Sequence, residues 1–218
     1  MTSILSESQQ RILNLLAADP TIARSFYLSG GTALAEHYLH HRLSEDLDFF
    51  CTSEFDASAI SAVLKKIQKA AGITGVRYEQ SFNRNLFFLE TEGETIKTEF
   101  TYYPFERIDA TRKIGSLQVD SLLDIAVNKV FTIFQKPRSR DFIDLYCIMQ
   151  KESWTIDDLA KKAQIKFDTY IDRLQLGAQF VRVDELADFP RMLIPLEPEV
   201  WQGFFKKEAK TLQGQILQ

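Results

Sequence analysis

Two carboxylates stand one residue apart in Ser44-Glu45-Asp46-Leu47-Asp48-Phe49-Phe50, nine residues after the run Leu28-Ser29-Gly30-Gly31-Thr32-Ala33-Leu34. On an extended strand, residues i and i+2 share a face. Asp46 and Asp48 therefore aim side by side, while Leu47 and Phe49 turn the other way into a core. Like charges so placed repel and raise each other's pKa. A divalent cation removes that penalty, because hard cations take oxygen ligands. The Gly30-Gly31 turn lets a phosphate approach the backbone, and the helix that follows offers its first N–H groups to it. Together these residues point to a site that holds a metal–nucleotide.

Other residues could extend this site. Ile96-Lys97-Thr98-Glu99-Phe100 alternates polar and apolar, which puts Glu99 opposite Phe100 in a central strand. A carboxylate there reads as a further metal ligand or as an exposed cross-strand charge with Lys97 as its neighbour; the metal reading has the edge. Lys129 lies in an otherwise apolar helix, where it either snorkels or offers a point charge to a phosphate. Asp141 and Asp144 lie one helical turn apart in Arg138-Ser139-Arg140-Asp141-Phe142-Ile143-Asp144. Ser139 suits a helix N-cap and Asp141 a first turn, which accounts for Asp141 alone better than for the whole cluster of charges. His37, His40 and His41 read as a solvated helix end, because no zinc-like partner accompanies them. The chain has no Walker-type P-loop, no Gly-X-Gly-X-X-Gly, no Cys-X-X-Cys and no Gly-X-Ser-X-Gly.

The elements that must position these residues follow from periodicity. A helix is predicted over Ser6 to Ala18, then a short strand over Ser25 to Ser29 that ends at the glycine turn. Thr32 is the expected cap of the next helix, whose basic tail is His40-His41-Arg42. Strands are predicted over Asp46 to Cys51, Gly75 to Glu79, Asn85 to Thr91 and Thr95 to Tyr103. A helix capped by Asp56 and closed near Gly72 falls between the first two. After Pro104 the pattern is helical: Asp120 to Phe134, Ser139 to Lys151, Asp157 to Arg173 and Glu199 to Leu217. The mixed part precedes the helical part, with the change between residues 105 and 120. The expected domains are 1–115 and 116–218.

With 218 residues, 45% hydrophobic and 26% charged, the chain has the composition of a soluble globular protein. Seventeen phenylalanines are enough to fill a substantial core. A net charge of −4 and a pI near 5.5 carry no global signature of nucleic-acid binding, so any RNA site would need a local patch. Cys51 and Cys147 sit in apolar contexts and read as buried thiols of a reducing compartment. Met1-Thr2-Ser3-Ile4-Leu5-Ser6 lacks the basic start of a signal peptide, and no apolar run approaches the ~20 residues of a membrane span. A cytoplasmic protein is expected.

The chain resembles the AbiEii/AbiGii toxin family of nucleotidyltransferases, within the polymerase-beta-like superfamily. The match rests on Leu28 to Leu34, His41-Arg42-Leu43-Ser44-Glu45-Asp46-Leu47-Asp48-Phe49, Lys129, and Arg140-Asp141-Phe142-Ile143-Asp144-Leu145-Tyr146. It spans roughly residues 25–150. The superfamily usually carries Gly-Ser at the turn; here the pair is Gly30-Gly31, and Thr32 or Ser44 is left to supply the hydroxyl. The resemblance implies an α+β fold: a nucleotidyltransferase-like mixed sheet with flanking helices, followed by a C-terminal helical domain. It implies transfer of an NMP from an NTP to an acceptor, with Asp46, Asp48, Lys129 and Asp141 as catalytic residues. Asp46, Asp48 and Glu99 would hold Mg²⁺ or Mn²⁺. Gly30, Gly31, Thr32, Arg42, Ser44, Lys129 and Arg140 would bind the nucleotide, with Lys129 facing the leaving pyrophosphate. An RNA acceptor such as tRNA and a separate antitoxin partner are implied as well. The alternatives are a protein or small-molecule acceptor, or a nucleotide-binding protein whose catalysis has decayed.

Overall fold

The computed structural model describes residues 3–216, with side chains through residue 214. Met1 and Thr2, read above for a signal peptide, and Leu217, the expected end of the last helix, lie outside the described residues. The chain forms two compact units. The first runs to Glu106 and takes in Ala110–Ser121; the second takes in Arg107–Asp109 and continues from Leu122.

The first unit opens with helix α1 (Glu7–Ala18), which Ser6 and Gln9 close in a capping box. A short helix α2 (Pro20–Ser25) follows, begun by Pro20 behind the Asp19 cap; six residues are too few to show helical periodicity in the sequence. Strand β1 is only Tyr27–Leu28. Helix α3 (Gly30–Leu34) then passes directly into a π-helical turn, Ala35–Leu39, that ends at His40 in the left-handed region. Strand β2 (Leu47–Cys51) is next, followed by α4 (Ala57–Ala71), capped by Asp56 and closed by left-handed Gly72. The meander of β3 (Gly75–Ser81), β4 (Arg84–Glu90) and β5 (Thr95–Tyr102) comes next. A hairpin of β6 (Arg112–Ile114) and β7 (Leu117–Val119) ends the unit. Its three-residue strands are too short to alternate visibly in the sequence.

One seven-stranded sheet results, in the order β3-β4-β5-β2-β1-β7-β6. The β2–β5 and β1–β7 pairs are parallel and the others antiparallel. One sheet face buries Leu47, Phe49, Phe87, Leu89, Ile96 and Phe100. Phe49 stacks on Phe100 at 5.1 Å, and Phe87 meets the same ring edge-on at 6.0 Å. The buried stripes of α1 (Ile12, Leu13, Leu16) and α4 (Ile60, Val63, Leu64, Ile67) complete this core. Strand alternation sends the intervening residues to the other face, where Asp48, Leu86, Phe88 and Lys97 are half-buried and Arg84 is exposed.

The second unit is helical: α5 (Leu122–Gln135), α6 (Ser139–Lys151), α7 (Ile156–Phe167), α8 (Arg173–Val181) and α9 (Pro198–Ile216). The helix predicted as far as Arg173 stops earlier, at left-handed Asp168, and α8 is a separate element capped by Asp172. Phe142, Phe180, Trp201 and Phe205 form its aromatic core, with Phe142 and Phe205 at 4.7 Å. A buried ion pair joins Lys166 to Asp124 at 2.6 Å. Asp124 also accepts the N–H groups of Ile108 and Asp109, which ties residues 107–109 to this unit. The fold class is α+β as expected, a mixed sheet with flanking helices followed by a helical domain. Among the described residues no helix is long and apolar enough to cross a membrane.

Candidate functional site

The glycine turn is held from three sides. Ser29 donates its N–H to the Asp48 carbonyl at 3.0 Å and its hydroxyl to Asp120 Oδ2 at 2.7 Å. Asp120 in turn donates its N–H to the Leu28 carbonyl, and its own carbonyl accepts the Tyr38 hydroxyl. Because the Ser29 hydroxyl is committed to Asp120, the helix beginning at Gly30 has no capping side chain. Thr32 is therefore not the cap expected from sequence. It lies inside the first turn, fully buried, and its hydroxyl bonds Ser44 Oγ and the Asp46 carbonyl. Gly30 has φ +73°, and a Cβ there would lie 3.0 Å from Asp48 Oδ2. At Gly31 the Arg42 guanidinium occupies the space a Cβ would need, with the Ser44 hydroxyl beside it. Arg42 is buried and donates to the Leu43 carbonyl at 2.9 Å. Gln9 of α1 fixes the approach to β2 by donating to the carbonyls of Ser44 and Glu45.

Asp46, Asp48 and Glu99 lie on the open face of the sheet. Asp48 pairs in register with Glu99 across the parallel β2–β5 ladder. Lys97 and Thr101 flank Glu99 at i−2 and i+2, and Arg84 sits opposite Thr101 on β4, so all share that face. Lys97 Nζ lies 2.7 Å from Asp46 Oδ2 and 3.7 Å from Glu99 Oε2. Arg84 grips both Glu99 oxygens with its Nε and Nη2, each at 2.6 Å, and Thr101 donates to Oε1 at 2.8 Å. Burial pushes the Glu99 carboxyl up. The hydrogen bonds from Arg84 and Thr101 and the charges of Arg84 and Lys97 outweigh it and hold the group below the usual glutamate range. The same contact pushes the Arg84 guanidinium up. Sequence reasoning named Lys97 only as a neighbour and did not single out Arg84 or Gln9. Strand register is the signal that finds Arg84, and it is unreadable before the β4–β5 pairing is known.

Lys129 and Asp141 form a cluster with Asp144 and Arg138 in the second unit. The Lys129 ammonium is buried, 2.7 Å from Asp141 Oδ1 and 2.6 Å from Asp144 Oδ2. Arg138 Nε reaches Asp141 Oδ2 at 2.7 Å. The charges of Lys129 and Arg138 hold the Asp141 carboxyl below the usual aspartate range despite its burial, which pushes it up. Ser139 is not the N-cap of α6; Arg138 is, and the Ser139 N–H and hydroxyl both donate to Asp188 Oδ1. Arg140 is exposed. The histidines are not a solvated helix end, for His41 is buried and His37 and His40 are half-buried; burial lowers the His37 pKa. Cys51 is buried and Cys147 half-buried.

The family model for the nucleotidyl transferase AbiEii toxin of type IV toxin–antitoxin systems matches residues 11–213. The chain belongs to the AbiEii family. The uncharacterized protein aq_aa25 from Aquifex aeolicus (strain VF5) is 33% identical over 193 residues, covering 87% of this chain and 88% of that one. The crystal structure of JHP933 from Helicobacter pylori is similar in fold, with a TM-score of 0.60 at 20% identity over 97% of this chain and 94% of that chain. A second H. pylori structure has a TM-score of 0.61 at 19% identity, covering 97% of each. In this AbiEii chain Asp46 and Asp48 supply two adjacent oxygen donors of the kind a hard divalent cation takes. Among the described residues no group of three or more His, Cys, Asp and Glu side chains is arranged to hold a metal. Both Glu99 oxygens are engaged by Arg84. The donor set therefore fits a cation held by two carboxylates and completed by ligand oxygens, a common arrangement for Mg²⁺.

Proposed function

We propose that this AbiEii-family nucleotidyltransferase is Mg²⁺-dependent and moves an NMP from an NTP to an RNA acceptor such as tRNA, as the cytoplasmic toxin of a toxin–antitoxin pair. The observation that carries this reading is the pair Asp46 and Asp48 on an open sheet face, with Gly30 against Asp48. Asp46 and Asp48 would hold the divalent cation, with Glu99 as the neighbouring third carboxylate. Bound there, the cation supplies Lewis-acid activation of the phosphate and lowers the pKa of the attacking hydroxyl. The Gly30-Gly31 backbone and the uncapped N–H groups of the first helical turn receive the phosphates. Arg42 and Ser44 brace this turn from behind. For phosphate, the helical unit offers Lys129, which Asp141 and Asp144 hold, and the exposed guanidinium of Arg140.

The test is incubation of the purified chain with each α-labelled NTP, Mg²⁺ and total tRNA. Label in the RNA fraction, together with released pyrophosphate, supports the reading. Label in the protein or small-molecule fraction replaces the RNA acceptor, and no label in any fraction overturns the transfer. Growth arrest on induction, absent for Asp46→Asn, tests the toxin role.

A further inference from the structure

Three carboxylates on one face of two adjacent strands form a repulsive arrangement, since directly opposed like charges destabilise a sheet. The sequence favours a metal as the remedy, with Lys97 as the alternative neighbour of Glu99. The structure contains the second. Lys97 stands two residues before Glu99 and reaches Asp46 Oδ2 at 2.7 Å, with Glu99 Oε2 at 3.7 Å. Arg84 clasps Glu99 with both of its near nitrogens. The Glu99 side chain is 7% exposed, against 25% for Lys97, 31% for Asp46 and 48% for Arg84. Glu99 is thus the buried bracket, and the two cations reach it from the open side. Both are long, flexible side chains, able to swing away without disturbing the sheet.

We infer that Lys97 and Arg84 are built-in counter-cations of the carboxylate site, which keep it assembled without metal and which an incoming divalent cation must displace. This rests on the reading of Asp46 and Asp48 as the metal-binding pair. Lys97 competes for the same Asp46 oxygen, so it weakens the binding of free metal; on losing Asp46 it keeps Glu99 as its partner. Arg84 competes for Glu99, and its release makes that carboxylate available as a third ligand. The apoprotein consequently presents a preformed site whose metal affinity is held down by its own cations.

Mn²⁺ titration of the full chain without nucleotide, followed by calorimetry, tests this, beside thermal melts in EDTA. Lys97→Met should bind Mn²⁺ about fivefold more tightly than wild type, the ratio expected from losing one partly exposed ion pair. It should melt lower in EDTA and recover when Mn²⁺ is added. Adding Asp46→Asn to Lys97→Met should restore much of the EDTA melting temperature, because the repulsion is removed with the charge. Arg84→Gln, altered at a half-exposed side chain, should also tighten Mn²⁺ binding and provides the same comparison if Lys97→Met does not fold. Mn²⁺ affinities of Lys97→Met and Arg84→Gln equal to or weaker than wild type would overturn the inference while leaving the metal site intact. If wild type, both of these variants and Asp46→Asn alike bind no Mn²⁺, the metal-binding reading itself fails, and the inference falls with it.

Discussion

Asp48 of β2 and Glu99 of β5 oppose each other in register across a parallel strand pair. They are far apart in sequence, yet one ladder brings their carboxylates to the same face, and the next residues along each strand, Phe49 and Phe100, stack at 5.1 Å on the other. The apolar stack and the acidic pair are two sides of one register. A one-residue slip would bury the acids and expose the rings, so the hydrophobic core fixes the geometry of the site.

Removing one charge from this face should separate chemistry from stability. Asp48→Asn keeps size and shape and relieves repulsion from Glu99 and Asp46. The variant is expected to lose nucleotidyl transfer while its melting temperature in EDTA holds or rises. A large fall in melting temperature would mark Asp48 as structural.

The glycine turn should tolerate no side chain. Gly30→Ala sets an L residue at φ +73° with its Cβ 3.0 Å from Asp48 Oδ2, a strain of about 1–2 kcal/mol. Gly31→Ala must push aside the Arg42 guanidinium. Gly203, in α9 with open space around it, is the control; its replacement by Ala should stabilise by about 0.5–1 kcal/mol. Urea denaturation of the three variants checks this, and equal stabilities would contradict it.

Lys129 is a buried ammonium between two carboxylates, neither a snorkelling side chain nor a solvated one. Lys129→Ala takes away the cation that Asp141 and Asp144 share, and should cost about 3–5 kcal/mol of stability. Its activity must therefore be measured on the folded fraction, by titrating denaturant alongside turnover. Lys129→Arg should retain more stability than Lys129→Ala but recover activity only in part, because a forked guanidinium does not replace a point charge. Full activity in folded Lys129→Ala would remove Lys129 from the mechanism.

Much of this arrangement was legible in the residues. The alternation around Asp46 set it beside Asp48, and that around Glu99 set it opposite Phe100, because strand period is a local property. The helix Ser139–Lys151 was read to its ends for the same reason. Other features depend on contacts between distant segments. Thr32 reads as a cap until the Asp46 carbonyl and Ser44 claim its hydroxyl, and Ser139 reads as one until Asp188 does. His41 looks solvated because its neighbours are polar, yet tertiary packing buries it. Arg84 has no local signature at all; only its register opposite Thr101 brings it to Glu99.

Acid should weaken the helical unit through Asp141. Lys129 and Arg138 hold its carboxyl below the ordinary aspartate range, so the unfolded chain takes up the proton at higher pH than the folded one. Its stabilising contribution is complete above that ordinary range, declines as pH falls through it and is lost below the depressed folded value. Urea melts of wild type and Asp141→Asn from about pH 7 to about pH 2 should show the steeper acid loss in wild type. Parallel profiles would contradict the shift.

The most direct test of the central claim is nucleotidyl transfer itself, followed with wild type, Asp46→Asn and Asp48→Asn on equal amounts of folded protein. Each α-labelled NTP is supplied with total tRNA, in Mg²⁺ and again in EDTA. The carboxylate-site account predicts label moved to the acceptor by wild type in Mg²⁺, and by neither variant and not in EDTA. Transfer by both variants at the wild-type rate would contradict it.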